Sequence, residues 1–298
     1  MIKWHKTITW FSVAACCFAN PVGTLSPKPV TAQNLYPPTT TSYQEPKPIP
    51  IYVAPPESNH RGICSAFLEP AITEVINRYQ GKWGILVQTL ADGQTIYHYN
   101  PDLPLIPASN IKILTTAAAL QKLNPHTTIR ANKSLQEWVT VTNLRSDNFY
   151  ADTLLSYIGG STAAKQALSE LGVNPQGFYL ADGSGLSRQN AATPRALVET
   201  LTAMNSAPNR EVFLTSLPTA GISGTLRNRL KQTPVQGIVH AKTGTLRGVR
   251  ALSGYLEHRE YGTLVFSILV NQPNQPGSSL VKAIDEIVLR LNMVSPCE

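Results

Sequence analysis

Three short strings, far apart but in fixed order, constrain the fold of this chain more than any other feature. They are Ser109-Asn110-Ile111-Lys112, Ser146-Asp147-Asn148 and Lys242-Thr243-Gly244-Thr245. If they act together, the fold must bring a helix start, a loop-to-helix junction and a strand into one cleft. As an ordered set, S-x-x-K, S-D-N and K-T-G describe a serine acyl-transfer site in which lysine takes the place of histidine as base. Singly they say little: at average composition about one S-x-x-K match arises by chance in a chain of this length. Order, spacing and context carry the weight.

The chemistry explains the residue types. Residues three apart on a helix share a face, so Lys112 can set its amine beside the Ser109 hydroxyl. Serine is a weak nucleophile until a base accepts its proton. A lysine can do so only with a depressed pKa, through burial or a nearby cation, and Lys242 is the candidate second cation. Alone, Ser109 would equally serve as an N-cap and Lys112 as a solvated helix charge. The apolar run Ile113–Leu120 argues instead for a buried helix, where an unpaired lysine is costly. Ser146 and Asn148 are placed as capping residues would be; in the catalytic reading Ser146 relays a proton and the Asn148 amide holds substrate backbone. Lys242 and Thr243 would receive a terminal carboxylate. Gly244 would admit substrate closely, and the N–H groups of Ser109 and Thr245 would form an oxyanion hole. The alternative for the last string is an edge-strand turn. No spacing suggests a metal site, and no cofactor is expected.

Of the 298 residues, 42% are hydrophobic, ample for a real core. The net charge of +7 invites a nucleic-acid reading, but the basic residues are scattered without aromatic alternation, so no nucleic-acid partner is expected. Lys3, His5 and Lys6 precede a short apolar stretch, Ile8 to Phe18, resembling the start of a secretory signal. That stretch is shorter than the about 20 residues a membrane span needs. Cleavage is expected after Val30-Thr31-Ala32. An uncleaved anchor is one alternative; lipid attachment at Cys16 is another, though Val13 stands where a lipoprotein box has Leu. Residues 1–32 carry three lysines and no acids, so their loss takes the charge from +7 to +4. Export to the periplasm or cell envelope is the expectation, with membrane association only through the signal or a lipid. Cys64 and Cys297 would then remain, able to pair in an oxidising compartment or to stay as separate thiols.

Residues 33–61 are rich in proline and read as an extended tether, leading to a catalytic domain over 62–298. Helices are expected over Cys64–Tyr79, Ile111–Leu123, Ser134–Leu144, Asp147–Tyr157, Ala163–Leu171, Pro194–Met204 and Ser278–Leu291. Trp83–Leu90 and Gln94–Tyr99 around Asp92-Gly93 read as a hairpin. Strands are expected after Val239 and over Val249–Glu257 and Gly262–Val270. One sheet completed from both chain ends follows, which would bring Cys64 and Cys297 into one neighbourhood.

Further strings extend the pattern: Pro107-Ala108-Ser109, Ser146-Asp147-Asn148-Phe149-Tyr150-Ala151, Asp182-Gly183-Ser184-Gly185-Leu186-Ser187-Arg188, Ala220-Gly221-Ile222-Ser223-Gly224-Thr225-Leu226 and Ala241-Lys242-Thr243-Gly244-Thr245-Leu246-Arg247-Gly248-Val249. With these, the chain resembles the D-alanyl-D-alanine carboxypeptidase/endopeptidase family, the class C low-molecular-mass penicillin-binding proteins, over roughly 62–291. The resemblance implies an α/β fold of the β-lactamase/transpeptidase type: a five-stranded antiparallel sheet flanked by helices, an all-helical region facing it, and the site between. It implies peptidoglycan stem peptides and β-lactams as partners and a Ser109 acyl-enzyme; a monomer is the separate expectation for this chain. One departure is large: the long insertion such proteins carry between S-x-x-K and S-x-N is missing. A class A-type β-lactamase shares Ser109, Lys112 and S-D-N but needs an E-x-x-x-N string, absent between Asn148 and Lys242. A non-catalytic wall-binding protein on the same fold is the other alternative.

Overall fold

The computed structural model describes residues 63–296. The export segment, the proline-rich tether and Cys297 lie outside these residues. Five strands form the main sheet: β1 (Lys82–Thr89), β2 (Thr95–Tyr99), β3 (Val239–Leu246), β4 (Val249–His258) and β5 (Gly262–Asn271). All pair antiparallel, in the order β2-β1-β5-β4-β3. The N-terminal hairpin therefore docks on the C-terminal strands, as the sequence pattern implies. Along β5, Leu264, Phe266, Ile268 and Val270 enter one core while Val265 and Leu269 enter the other. This two-residue alternation across a sheet covered on both faces explains the nearly unbroken apolar run.

Among the described residues, eight α-helices surround the sheet: α1 (Ser65–Tyr79), α2 (Ile111–Lys122), α3 (Leu135–Leu144), α4 (Asn148–Tyr157), α5 (Gly160–Glu170), α6 (Pro194–Ser206), α7 (Arg210–Ser216) and α8 (Gly277–Asn292). α1 and α8 cover one face through Ile72, Val75, Ile284 and Ile287. α2 to α7 build the helical region on the other, with α2 at its centre, buried all round from Ile111 to Leu120. Of these helices only α7 is not among those expected. A capping box at Ser134 and Glu137 starts α3.

Two smaller features frame the domain. Ile63–Cys64 pairs in parallel with Val294–Ser295, so both ends of the described chain meet, as expected. Between α2 and α3 a short hairpin pairs Thr128–Arg130 with Lys133–Ser134. Its turn residues Ala131 and Asn132 both have positive φ, 53° and 54°, the requirement of a type I′ turn. Among the described residues no helix is long and apolar enough to cross a membrane.

Candidate active site

The three strings converge where α2, the start of α4 and the edge strand β3 meet. Ser109 lies in a single 3-10 turn, Ala108–Asn110, that runs directly into α2. The turn is strained, since Ala108 ahead of the nucleophile sits at φ +49°. Asn110 fastens it to the sheet: its buried Nδ2 donates to Ser253 Oγ at 2.7 Å, and Ser253 donates to Ser267 Oγ at 2.9 Å. Ser109 does not cap α2; the residue in that place is Asn110, whose side chain makes no capping bond either. The capping alternative for Ser109 is thereby removed.

Lys112 is no solvated charge, being fully buried. Its Nζ donates to Ser184 O at 2.5 Å and to Asn148 Oδ1 at 2.8 Å, and lies 3.2 Å from Ser109 Oγ. A neutral amine has two N–H donors and one lone pair. With two carbonyl oxygens taking the donors, the lone pair is left to face the Ser109 hydroxyl. Burial brings the Lys112 pKa down to about 8, against the pull of Asp152, Asp182 and Asp147. Of the two routes the sequence offered, burial or a nearby cation, burial is the cause of the depression. That neighbour is itself depressed: Lys242, also fully buried, is pushed well below the ordinary lysine range by burial and by Lys112.

In S-D-N the middle residue is the cap, with Asp147 Oδ1 accepting from Tyr150 N at 3.0 Å. That frees the flanking residues. Ser146, held at φ +57°, accepts a bond from Lys242 Nζ at 2.8 Å. Lys242 also donates to Thr243 O at 3.1 Å. Ser146 can therefore hand on its own proton while the lysine supports its oxygen. Asn148, with Oδ1 committed to Lys112, presents Nδ2 as its donor.

K-T-G lies on β3 as expected, and two of its residues make contacts that the sequence did not specify. A Cβ on Gly244 would come within 2.5 Å of Pro107 O and 2.9 Å of Ala251 Cβ. Glycine is required there because β3 closes on the turn that carries Ser109. Thr243 donates to Thr225 Oγ1 at 2.7 Å, so the two hydroxyls form a pair. Thr245 is exposed beyond them. Sequence reasoning gave no role to Thr225 or to Ser184. The first was visible only as part of the A-G-I-S-G-T-L string; the second acts through a backbone carbonyl, which leaves no side-chain signal.

Comparison with known proteins gives the same picture. The profile of the D-Ala-D-Ala carboxypeptidase 3 (S13) family matches residues 68–132 and 128–291, two stretches that meet at the short hairpin between α2 and α3. The chain is 42% identical over 162 residues to a D-alanyl-D-alanine carboxypeptidase of Actinomadura sp., covering 49% of this chain and 30% of that protein. It is 35% identical over 176 residues to penicillin-sensitive carboxypeptidase A of Dictyostelium discoideum, covering 53% and 34%. The chain thus spans about a third of the length of these relatives. In structure it matches penicillin-binding protein 4 from Haemophilus influenzae in complex with a β-lactam, with TM-score 0.63 and 15% identity over 75% of this chain and 99% of that one. A class A β-lactamase from Bacteroides cellulosilyticus matches with TM-score 0.60 and 20% identity, over 76% and 97%. At these identities the structures establish the fold, which is the one expected.

Proposed function

The chain belongs to the D-Ala-D-Ala carboxypeptidase 3 (S13) family, and from that premise we propose that it is a serine D-Ala-D-Ala carboxypeptidase of the cell envelope, penicillin-sensitive and acting on peptidoglycan stem peptides. The observation that carries this reading is the Lys112 amine, buried, depressed in pKa, and aimed at Ser109 by two carbonyl acceptors.

Ser109 Oγ attacks the carbonyl carbon between the two D-alanines while its proton passes to Lys112. The N–H groups of Ser109 and Thr245 receive the oxyanion. The C–N bond then breaks, and the departing D-alanine nitrogen takes a proton through Ser146. Asn148 Nδ2 holds the donor peptide, and the Thr225–Thr243 hydroxyl pair, in the field of Lys242, binds the terminal carboxylate. Water hydrolyses the ester and restores Ser109. A crosslinked peptide would enter as the same kind of donor, giving endopeptidase activity. Among the described residues the partners of Lys112 Nζ are Ser109 Oγ, Asn148 Oδ1 and Ser184 O, and slow release of a penicilloyl ester is the expected outcome.

Ser109→Ala is expected to abolish covalent labelling by fluorescent penicillin, and the parent to release D-alanine from muropeptides in a mass-spectrometric assay. Labelling that survives the substitution sinks the assignment. Rapid, sustained nitrocefin turnover would move it to a β-lactamase. Muropeptide binding with no D-alanine released would make it a wall-binding protein.

A further inference from the structure

A single turn of backbone, Gly183–Ser187, touches both partners of the proposed proton transfer. Ser184 O receives Lys112 Nζ at 2.5 Å. Gly183 O receives Thr115 Oγ1 at 2.9 Å, one helical turn further along α2. Gly185, at φ +85°, lies so near the strained residue preceding Ser109 that a Cβ there would stand 2.0 Å from Ala108 O.

A carboxylate holds this turn in shape. Asp182 Oδ1 accepts from Gly185 N at 2.6 Å, Asn190 Nδ2 at 2.8 Å and Ser184 N at 3.1 Å, and Oδ2 accepts from Ser187 N at 2.6 Å. Asp152, on α4, accepts from Gly183 N at 2.9 Å. Burial alone would raise the Asp182 pKa, but the donors on Asn190, Ser187 and Gly185 outweigh it and hold the carboxyl below its ordinary range. It is therefore an anion whenever Lys112 is at work, and its hydrogen bonds are charge-assisted.

Resting on the acyl-transfer reading above, we propose that Asp182 is a positioning residue: by folding the Ser184–Ser187 backbone around its carboxylate it fixes the Ser184 carbonyl, and through it the direction of the Lys112 lone pair. If that carbonyl turned away, the amine would keep only Asn148 as a fixed acceptor and its lone pair would no longer be held on Ser109. The same carboxylate influences Lys112 through space. Lys112 is faced by Asp147 and Asp152 from the start of α4, by Asp182 from the turn and by Lys242 from β3. Removing the Asp182 charge lowers the Lys112 pKa and moves the acid limb of acylation to lower pH, while misaiming the amine lowers the plateau. The limb therefore reads the charge, and the plateau reads the aim of the amine.

The test follows labelling of the full chain by fluorescent penicillin from about pH 5.5 to about pH 9.5, with melting curves, for the parent, Asp182→Asn and Thr115→Val. Asp182→Asn should lower the plateau by about 100-fold, as a misplacement near 1 Å can, and shift the limb to lower pH. Thr115→Val, which loosens the turn without removing charge, should lower the plateau about fivefold, the worth of one hydrogen bond, with the limb unmoved. A folded Asp182→Asn protein with the parent's plateau overturns the inference, wherever its limb falls and even if it melts lower. Should Asp182→Asn fail to fold, a parent-like plateau for Thr115→Val overturns it. An unlabelled parent would overturn the acyl-transfer reading itself; a labelled parent with indifferent variants overturns this inference alone.

Discussion

Lys112→Arg, read alongside the pH profile of the parent, tests whether the lysine is the base. An arginine guanidinium stays protonated throughout, so it has no lone pair to offer Ser109. The parent's lysine has been brought by burial from 10.5 to about 8, despite Asp152, Asp182 and Asp147. At pH 7 an ordinary lysine is neutral in about one molecule in 3,000, whereas one at about 8 is neutral in about one in ten. Acylation should therefore rise about tenfold per pH unit below about pH 8 and level off above it. The linkage to stability has a definite sign. Because the folded value lies below the unfolded one, the native state holds fewer protons between them. The lysine's contribution to stability is full above 10.5 and is lost as pH falls through about 8. The assay is the second-order rate constant for fluorescent-penicillin labelling at each pH, corrected for loss of the reagent. Lys112→Arg should fall by about 1,000-fold. A parent profile flat from about pH 6 to about pH 9, or an arginine variant within about tenfold of the parent, would refute the reasoning.

The strained serine and the inward glycine give two more expectations. Ser146 sits at φ +57°, where an L residue costs about 1 kcal/mol. Ser146→Gly should therefore resist urea by about 1 kcal/mol more than Ser146→Ala, while both lose acylation by about 100-fold; equal stabilities would count against strain. Gly244→Ala should lower stability by about 2 kcal/mol through its clash with Pro107. If glycine there served only substrate approach, the melting temperature would not change and only KM would rise.

Much of the site was legible because its parts obey local rules. The three-residue spacing of Ser109 and Lys112 and the apolar run after Lys112 both follow from helix geometry, and they locate the helix at the centre of the cleft. What escaped depends on three dimensions or on atoms without a letter. The Ser184 carbonyl belongs to the backbone. The inward direction of Gly244 is set by β3 packing on Pro107, and the depression of Lys112 by how many residues enclose it. Asp147 took the cap that the sequence allowed equally to Ser146 or Asn148, since any of the three has the chemistry. The seven residues of α7 bury only Phe213 and Ser216 fully, with Val212 and Leu214 half-buried beside them, too short a run to establish a period.

The hairpin between α2 and α3 has a consequence for descent and for engineering. A chain that leaves through one hydrogen-bonded strand and returns through its neighbour comes back within roughly 5 Å of its exit. Anything spliced into the turn at Ala131 and Asn132 need only have adjoining ends of its own. Lys112 and Ser146 would keep their places, because α2, α3 and α4 are already packed on one another. The family profile is divided at this same spot. The turn is thus a socket: cargo domains can be acquired or shed there over evolution, or plugged in by design, while the catalytic machinery remains unaware of the exchange.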